Sequence, residues 1–329
     1  MAARYWVGGT GTWDSTSTAN WSATSGGAPG ASAPTNIDDV FFDSLSGTGT
    51  CTTDATATAR DVVLNSSTLG LTLGANLTIA RTFNLTSGVL DLTGNAGNWT
   101  FTCVSFVSSN SNIRSIAFGT GNITVTGNAG TVLNMGTVTN FSYTGTPTIN
   151  ATYAGAVGTR AFAFTTGAIE ANALNINVTA GTDIVTTPFA FRNLNFTGFA
   201  GTLSLNASGS NLIYGNVTLS SGMTLTGGGV AWTFSATSGT QQITTAGLTL
   251  NTPITKNNAG TLQLQDNLTM GSTRTFTLTA GTLDLNNRTL STGLFNSSTA
   301  TVRSIAFGTG NITLTGNNET VWTTLSVTN

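Results

Sequence analysis

Chemistry in this chain has to come from carboxylates, because the sequence contains no histidine. Without an imidazole, Ser-His-Asp and Cys-His nucleophiles, His-ligated zinc and the usual general base all drop out. Two carboxylates suffice for glycoside hydrolysis, and β-helical folds often host polysaccharide lyases and hydrolases. Most of the 12 acidic residues, however, stand alone between apolar neighbours. Asp38, Asp39 and Asp43 make the one cluster. On a strand, Asp39 and Asp43 share a face and Asp38 takes the other. Their oxygens suit a calcium ion, a catalytic pair, or simply a solvated edge. The solvated edge is the expectation here, with no catalytic residue and no cofactor.

A second set of charges repeats. Asp91 and Arg114 recur as Asp284 and Arg303, 23 and 19 residues apart by subtraction. Either separation suits one coil of a stacked-coil fold, so each pair is expected to form an ion pair between coils, worth about 0–1 kcal/mol if exposed. Two independently solvated charges are the alternative. Trp6, Trp13 and Trp21 could cover an open end of the fold, dock a partner, or offer rings to a sugar. Gly119-Thr120-Gly121-Asn122 resembles part of a phosphate loop but lacks the Gly-Lys-Ser/Thr that would follow, and reads as a corner. Asn-x-Ser/Thr triplets such as Asn76-Leu77-Thr78 arise here from composition, and some Asn are expected to stack in ladders. Cys51 and Cys103 have no metal-site spacing, and two free buried thiols are expected rather than a disulfide.

The elements that carry these residues are short strands. Phe83-Asn84-Leu85, Ile123-Thr124-Val125, Leu203-Ser204-Leu205, Leu262-Gln263-Leu264 and Leu283-Asp284-Leu285 alternate apolar and polar residues between Gly, Asn and Ser. Neither Asn-Gly nor Asp-Gly occurs, although the chain has 40 glycines. Those dipeptides are the strongest tight-hairpin signals. Their absence favours open bends over hairpins, and hence an all-β parallel β-helix, or β-solenoid.

An internal repeat supports the same fold. Arg114 through Thr124 recurs unchanged as Arg303 through Thr313. Arg81 through Leu92 matches Arg274 through Leu285, and Val138-Thr139-Asn140 matches Val327-Thr328-Asn329. The repeat pairs about 76–140 with about 267–329 at an offset near 190 residues, a module of several coils. Its second copy stops where the first continues, so more chain or another covering is expected beyond Asn329. Residues 1–45, with Trp6, Trp13, Trp21 and a Gly/Ala/Ser/Pro stretch, read as an N-terminal cap or docking segment, and 46–329 as the solenoid.

Charged residues make up only 7% and the formal net charge is -2. No basic run exists to neutralise phosphates, so nucleic acid is not an expected partner. No apolar stretch is long enough to span a bilayer as a helix. The N-terminus lacks the apolar core of a secretion signal.

Tyr5-Trp6-Val7-Gly8-Gly9-Thr10-Gly11-Thr12-Trp13, Thr240-Gln241-Gln242-Ile243-Thr244-Thr245-Ala246-Gly247 and Gly260-Thr261-Leu262-Gln263-Leu264-Gln265-Asp266 carry a likeness, as does the repeated Arg-Ser-Ile-Ala-Phe-Gly-Thr-Gly. With them the whole chain resembles the Gly/Thr/Asn-rich β-repeat proteins of marine bacteriophages, associated with virions and tail fibres. The tryptophan pattern also resembles the start of some autotransporter and haemagglutinin-like adhesins. The first resemblance implies a fibre-like virion protein made in the host cytoplasm. Its partners would be other virion proteins and a host surface glycan or protein, with a homotrimer as one assembly. A bacterial cell-surface adhesin with a solenoid stalk, or a polysaccharide-degrading tailspike, are the alternatives.

Overall fold

Alternation in sequence becomes alternation in burial. In Thr261–Leu264, Leu262 and Leu264 are buried and the residues between them half-buried. Each inward Leu, Ile, Val or Phe contributes about 1.5–3 kcal/mol by leaving water. In the computed structural model these strands form a parallel β-solenoid of about 12 turns, with 2% helix. The structure describes all residues except 167, 187–189, 206–210, 318–319 and 325–329, and the side chains of 165–166.

The chain packs as two units. The first comprises Met1–Tyr153 and Phe162–Leu174, the second Ala154–Ala161 and Asn175–Asn329. In both, a coil runs through three short strands. Thr261–Leu264, Leu268–Met270 and Thr275–Leu278 form one coil of the second unit; Gly281–Asp284, Thr289–Thr292 and Leu294–Asn296 form the next. Each strand pairs in parallel with its counterpart one coil away. The early coils of the first unit differ. There Asp61–Leu73 runs as one long strand, whose register with Thr82–Asp91 shifts between Leu64 and Asn65 and again between Asn65 and Gly70.

Parallel register puts like on like. Leu77, Phe101, Ile123 and Ile149 form one interior column of the first unit. Trp232, Ile254, Phe276 and Phe295 form one in the second, which the exposed Trp322 continues. Phe276 and Phe295 stack with parallel rings, their centroids 5.8 Å apart.

The sequence repeat is also a structural one. Arg114 lies opposite Gly88, and Arg303 opposite Gly281. Both glycines hold positive φ, +95° and +77°, and a Cβ on either would sit 2.3 Å from a backbone carbonyl oxygen. Corner asparagines repeat too. Asn98 Oδ1 accepts the Thr120 N–H, and Asn287 Oδ1 the Thr309 N–H, each at 2.8 Å. The expected asparagine stacking appears at Asn193–Asn175 and Asn150–Asn122, and a further ladder, of other residue types, runs along Gln242, Gln263 and Asp284.

Residues 1–45 are built into the first unit's sheets. Ala3–Trp6 pairs in parallel with Asp39–Phe42, and Gly11–Trp13 with Gly49–Thr53. Trp21–Ser22 closes this end in antiparallel pairing with Ala3–Trp6.

Candidate functional site

The three N-terminal tryptophans are wholly buried. Trp6 and Trp13 each meet Trp21 edge-on, at 5.0 and 5.5 Å, and Phe42 lies about 6 Å from all three. These rings fill the first coils' interior. Rings so buried offer no platform to a sugar. Trp6 donates its indole N–H to the Gly9 carbonyl, whereas those of Trp13 and Trp21 find no acceptor.

Each acidic residue near them has its own structural partner. Asp38 accepts hydrogen bonds from the Ala2 N–H and from the N–H and hydroxyl of Thr35. Burial pushes its carboxyl up, but those bonds and the Arg4 charge outweigh burial and hold it below the ordinary aspartate value. Asp39 lies opposite Asp61 in the parallel register, and Arg60 reaches both, at 2.5 and 3.0 Å. A directly opposed like-charge pair is thereby neutralised. Asp43 closes a turn by accepting from Ser25, Leu45 and Ser46. Among the described residues no group of three acidic, cysteine or histidine side chains could hold a metal ion.

The expected Asp91–Arg114 ion pair does not form. Arg114 turns into the coil interior, where it is 1% exposed. Its guanidinium donates to the Ser108 hydroxyl and to the carbonyls of Ser108, Asn112, Thr137 and Thr139, at 2.7–3.0 Å. Asp91 lies opposite Ala117 and accepts from the N–H and hydroxyl of Thr93. Asp284 and Arg303 are likewise not paired. Arg303 donates to Ser297, Thr299 and Thr301, while Asp284 accepts from Gln263 and Asn286. The reason is geometric. Alternation turns the aspartate outward and the arginine inward, and five donors are better met by a ring of carbonyls than by one carboxylate outside the wall.

Sequence reasoning missed the buried ion pair that does exist. Arg160 Nε and one terminal nitrogen bond both oxygens of Asp183, at 2.7 and 2.8 Å, with both side chains almost wholly buried. It also missed the role of the isolated acids. Asp14, Asp54 and Asp91 each accept from the N–H and hydroxyl of the Thr two positions on, and Asn195 does the same. Asp/Asn-x-Thr is a side-chain-closed corner, a signal legible in the sequence. The Asn195-Phe196-Thr197 triplet serves as such a corner. Cys51 and Cys103 are free and buried, and burial pushes both thiols well up.

Lys256, the one lysine of the chain, is fully buried in the column between Phe234 and Leu278. Its ammonium donates to the carbonyls of Asn257 and Asn258 at 2.5 and 3.0 Å. Burial brings its pKa down to about 8. Between that value and about 10.4 the unfolded chain holds a proton that the folded chain has released, so stability rises with pH across this window. Urea melts from pH 7.5 to 10.5 are expected to show that rise, and Lys256→Met to remove it. An unchanged pH slope in the variant would refute the assignment.

A groove of ≈ 320 Å³ lies on the first unit, lined by Thr50, Thr68, Gly70, Thr72, Val89 and Asp91 among others. Gly70 forms part of its floor; a Cβ there would lie no closer than 3.6 Å to any neighbour, so the glycine is not required by packing. Hydroxyls and one carboxylate can hydrogen-bond a neutral, polar ligand. One carboxylate supplies neither geometry of a two-carboxylate glycosidase. No helix among the described residues is long and apolar enough to cross a membrane.

Compared with protein-family models, curated proteins and solved structures, the chain matches none.

Proposed function

We propose that this chain is a structural β-solenoid of a bacteriophage virion, a fibre-like surface appendage that aids attachment to the host. One observation carries the structural part of this reading. The polar and charged side chains singled out in the sequence are spent on closing corners and joining coils, and two of these bonds, from the Thr N–H to the corner asparagine and from the arginine Nε to a serine hydroxyl, recur in both copies of the repeat. Such a fold makes a persistent surface from few residue types. Many weak contacts along it, multiplied by copy number, give avidity without a tight single site. The virion setting rests on the resemblance of the repeat motifs. The groove over Thr50, Thr72 and Asp91 is the face assigned to host contact.

The test is direct. Mass spectrometry of purified particles should find the chain, and antibody labelling in electron micrographs should decorate a surface appendage. Particles lacking it should adsorb to host cells more slowly. Normal adsorption by such particles would refute the attachment role. New reducing ends released from host polysaccharide would favour an enzyme instead.

A further inference from the structure

The groove on the first unit has a counterpart in the second, and there the chain fills it. In the first unit two rows of outward residues cross the sheet, Thr50–Gly70–Val89 and Thr52–Thr72–Asp91. The second unit carries Thr240–Thr261–Thr282 and Gln242–Gln263–Asp284 in the same rows, with Thr282 and Asp284 the sequence twins of Val89 and Asp91. The two rows lie about 6.6–6.8 Å apart along a strand, and neighbours within a row about 4.7–4.9 Å apart. Each aspartate spends one oxygen on its own corner. Asp91 Oδ1 accepts from the N–H and hydroxyl of Thr93, and Asp284 Oδ1 from the Asn286 N–H. Their second oxygens differ. Asp284 Oδ2 accepts from the Gln263 carboxamide at 2.8 Å, and the Gln263 carbonyl accepts in turn from Gln242 and Gln265. Thr72, in the place of Gln263, is too short to reach Asp91 in this way. Among the described residues nothing donates to Asp91 Oδ2. Gly70, where the second unit has Thr261, leaves the space beside it open.

We infer that this groove binds an N-acetylated sugar, whose acetamido group takes the place that the Gln263 carboxamide fills in the second unit. The inference rests on the reading of this groove as the face that meets the host. The second unit displays the kind of group that completes the surface: a neutral carboxamide, its N–H toward the aspartate and its carbonyl toward donors. An acetamido group has the same two ends and a methyl. Its N–H donates to Asp91 Oδ2, and its carbonyl accepts from the hydroxyl of Thr72, which lies opposite Asp91 in the register. Its methyl lies against Val89, which is 42% exposed where the second unit has the hydroxyl of Thr282. A hydroxyl at that ring position can meet the carboxylate but brings neither the acceptor nor the methyl. No lysine or arginine is among the lining residues, so a phosphate or carboxylate finds no counter-charge there. The volume of ≈ 320 Å³ falls within the range of about 300–1,000 Å³ that suits small ligands.

The experiment titrates the full chain with N-acetylglucosamine and N-acetylgalactosamine, with glucose, galactose and glucosamine as controls, and follows the methyl signals of Thr72 and Val89 by NMR. Saturable binding of an N-acetylated sugar is expected, about tenfold or more tighter than its parent sugar, with shifts confined to the groove. Thr72→Gln installs the second unit's own residue and should weaken binding about tenfold or more. Gly70→Thr, whose Cβ would lie no closer than 3.6 Å to any neighbour, fills the open space and should do the same. The inference is overturned if neither N-acetylated sugar binds, if the shifts fall elsewhere, or if either variant binds normally. Equal binding of the parent sugars overturns it too, as does equal binding of glucosamine, because the site then takes a cation. The sugar series needs no variant, so the outcome does not depend on whether a mutant folds. Sugar binding together with normal adsorption by particles lacking the chain would leave the site standing and refute the attachment role. Slow adsorption by such particles with no sugar bound would do the reverse.

Discussion

Asp183→Ala is expected to destabilise the second unit by about 3–5 kcal/mol, the usual cost of breaking a buried ion pair from one side. The arginine keeps its charge at any working pH. Removing Asp183 takes away both short, charge-assisted bonds to its guanidinium, which its bond to the Ala180 carbonyl and its contact with the Phe199 face, 5.8 Å away, do not replace in charge. Coil arrays need not unfold in one step. The measurement is therefore hydrogen exchange along the chain, with the loss of protection centred on Ile184–Thr186 and Thr202–Leu205, the strands that follow the pair. Asp183→Asn, which keeps the shape and one acceptor, should lose less. Uniform loss across both units, or no loss at all, would show that the pair is not a local fastener.

The second large effect is expected at Arg114. Replacing a buried ionic group by an apolar one is often harmless when all its partners are replaced together. Here four of the five acceptors are backbone carbonyls, which no substitution removes. Arg114→Leu would leave the buried hydroxyl and carbonyl of Ser108 without this donor, each costing about 1–3 kcal/mol unless water enters, whereas the Thr137 carbonyl keeps the Asn110 N–H and Asn112 and Thr139 are exposed to water. We expect a loss of about 3–5 kcal/mol around Arg114–Gly119 and Gly130–Thr137. The twin substitution Arg303→Leu should cost less than half as much, because Arg303 is only half-buried and water can replace it. Arg114→Lys should recover part of the loss, since a point charge cannot bond acceptors lying in several directions at once. Equal losses at the two sites would refute an effect of burial.

Much of the fold was legible because the solenoid needs only alternation and corners. Leu262-Gln263-Leu264 and Ile123-Thr124-Val125 read as strands and are strands. The missing hairpin dipeptides correctly pointed to parallel coils, and the described pairings include one antiparallel ladder, at Trp21–Ser22. Charge pairing was less legible. A spacing of 23 residues was the right measure of one coil, and Arg160 and Asp183 have it. Asp91 and Arg114 have it too, yet do not meet. Spacing gives the level of a side chain in the stack but not its side of the wall, and a one-residue change in phase turns it from interior to surface. The phase at Arg114 was nonetheless readable. Ile116 and Phe118 follow it at intervals of two, so an inward Ile implies an inward Arg.

The fidelity of the two copies bears on inheritance. Their offset falls from 193 residues at Arg81 and Arg274 to 189 at Arg114 and Arg303 (274 minus 81; 303 minus 114). Leu92 to Thr100 spans a longer corner than Leu285 to Thr289, and that corner holds a turn of 3-10 helix at Gly94–Ala96. Insertions thus fall where strands are not paired. A genetic crossover between the two identical stretches would delete 189 residues and seat the surviving arginine opposite Gly88, the register it already has. Whole groups of coils can be lost or gained in one event while the strands at the junction keep their register with the preceding coil, so length in such a lineage is free to vary by exchange.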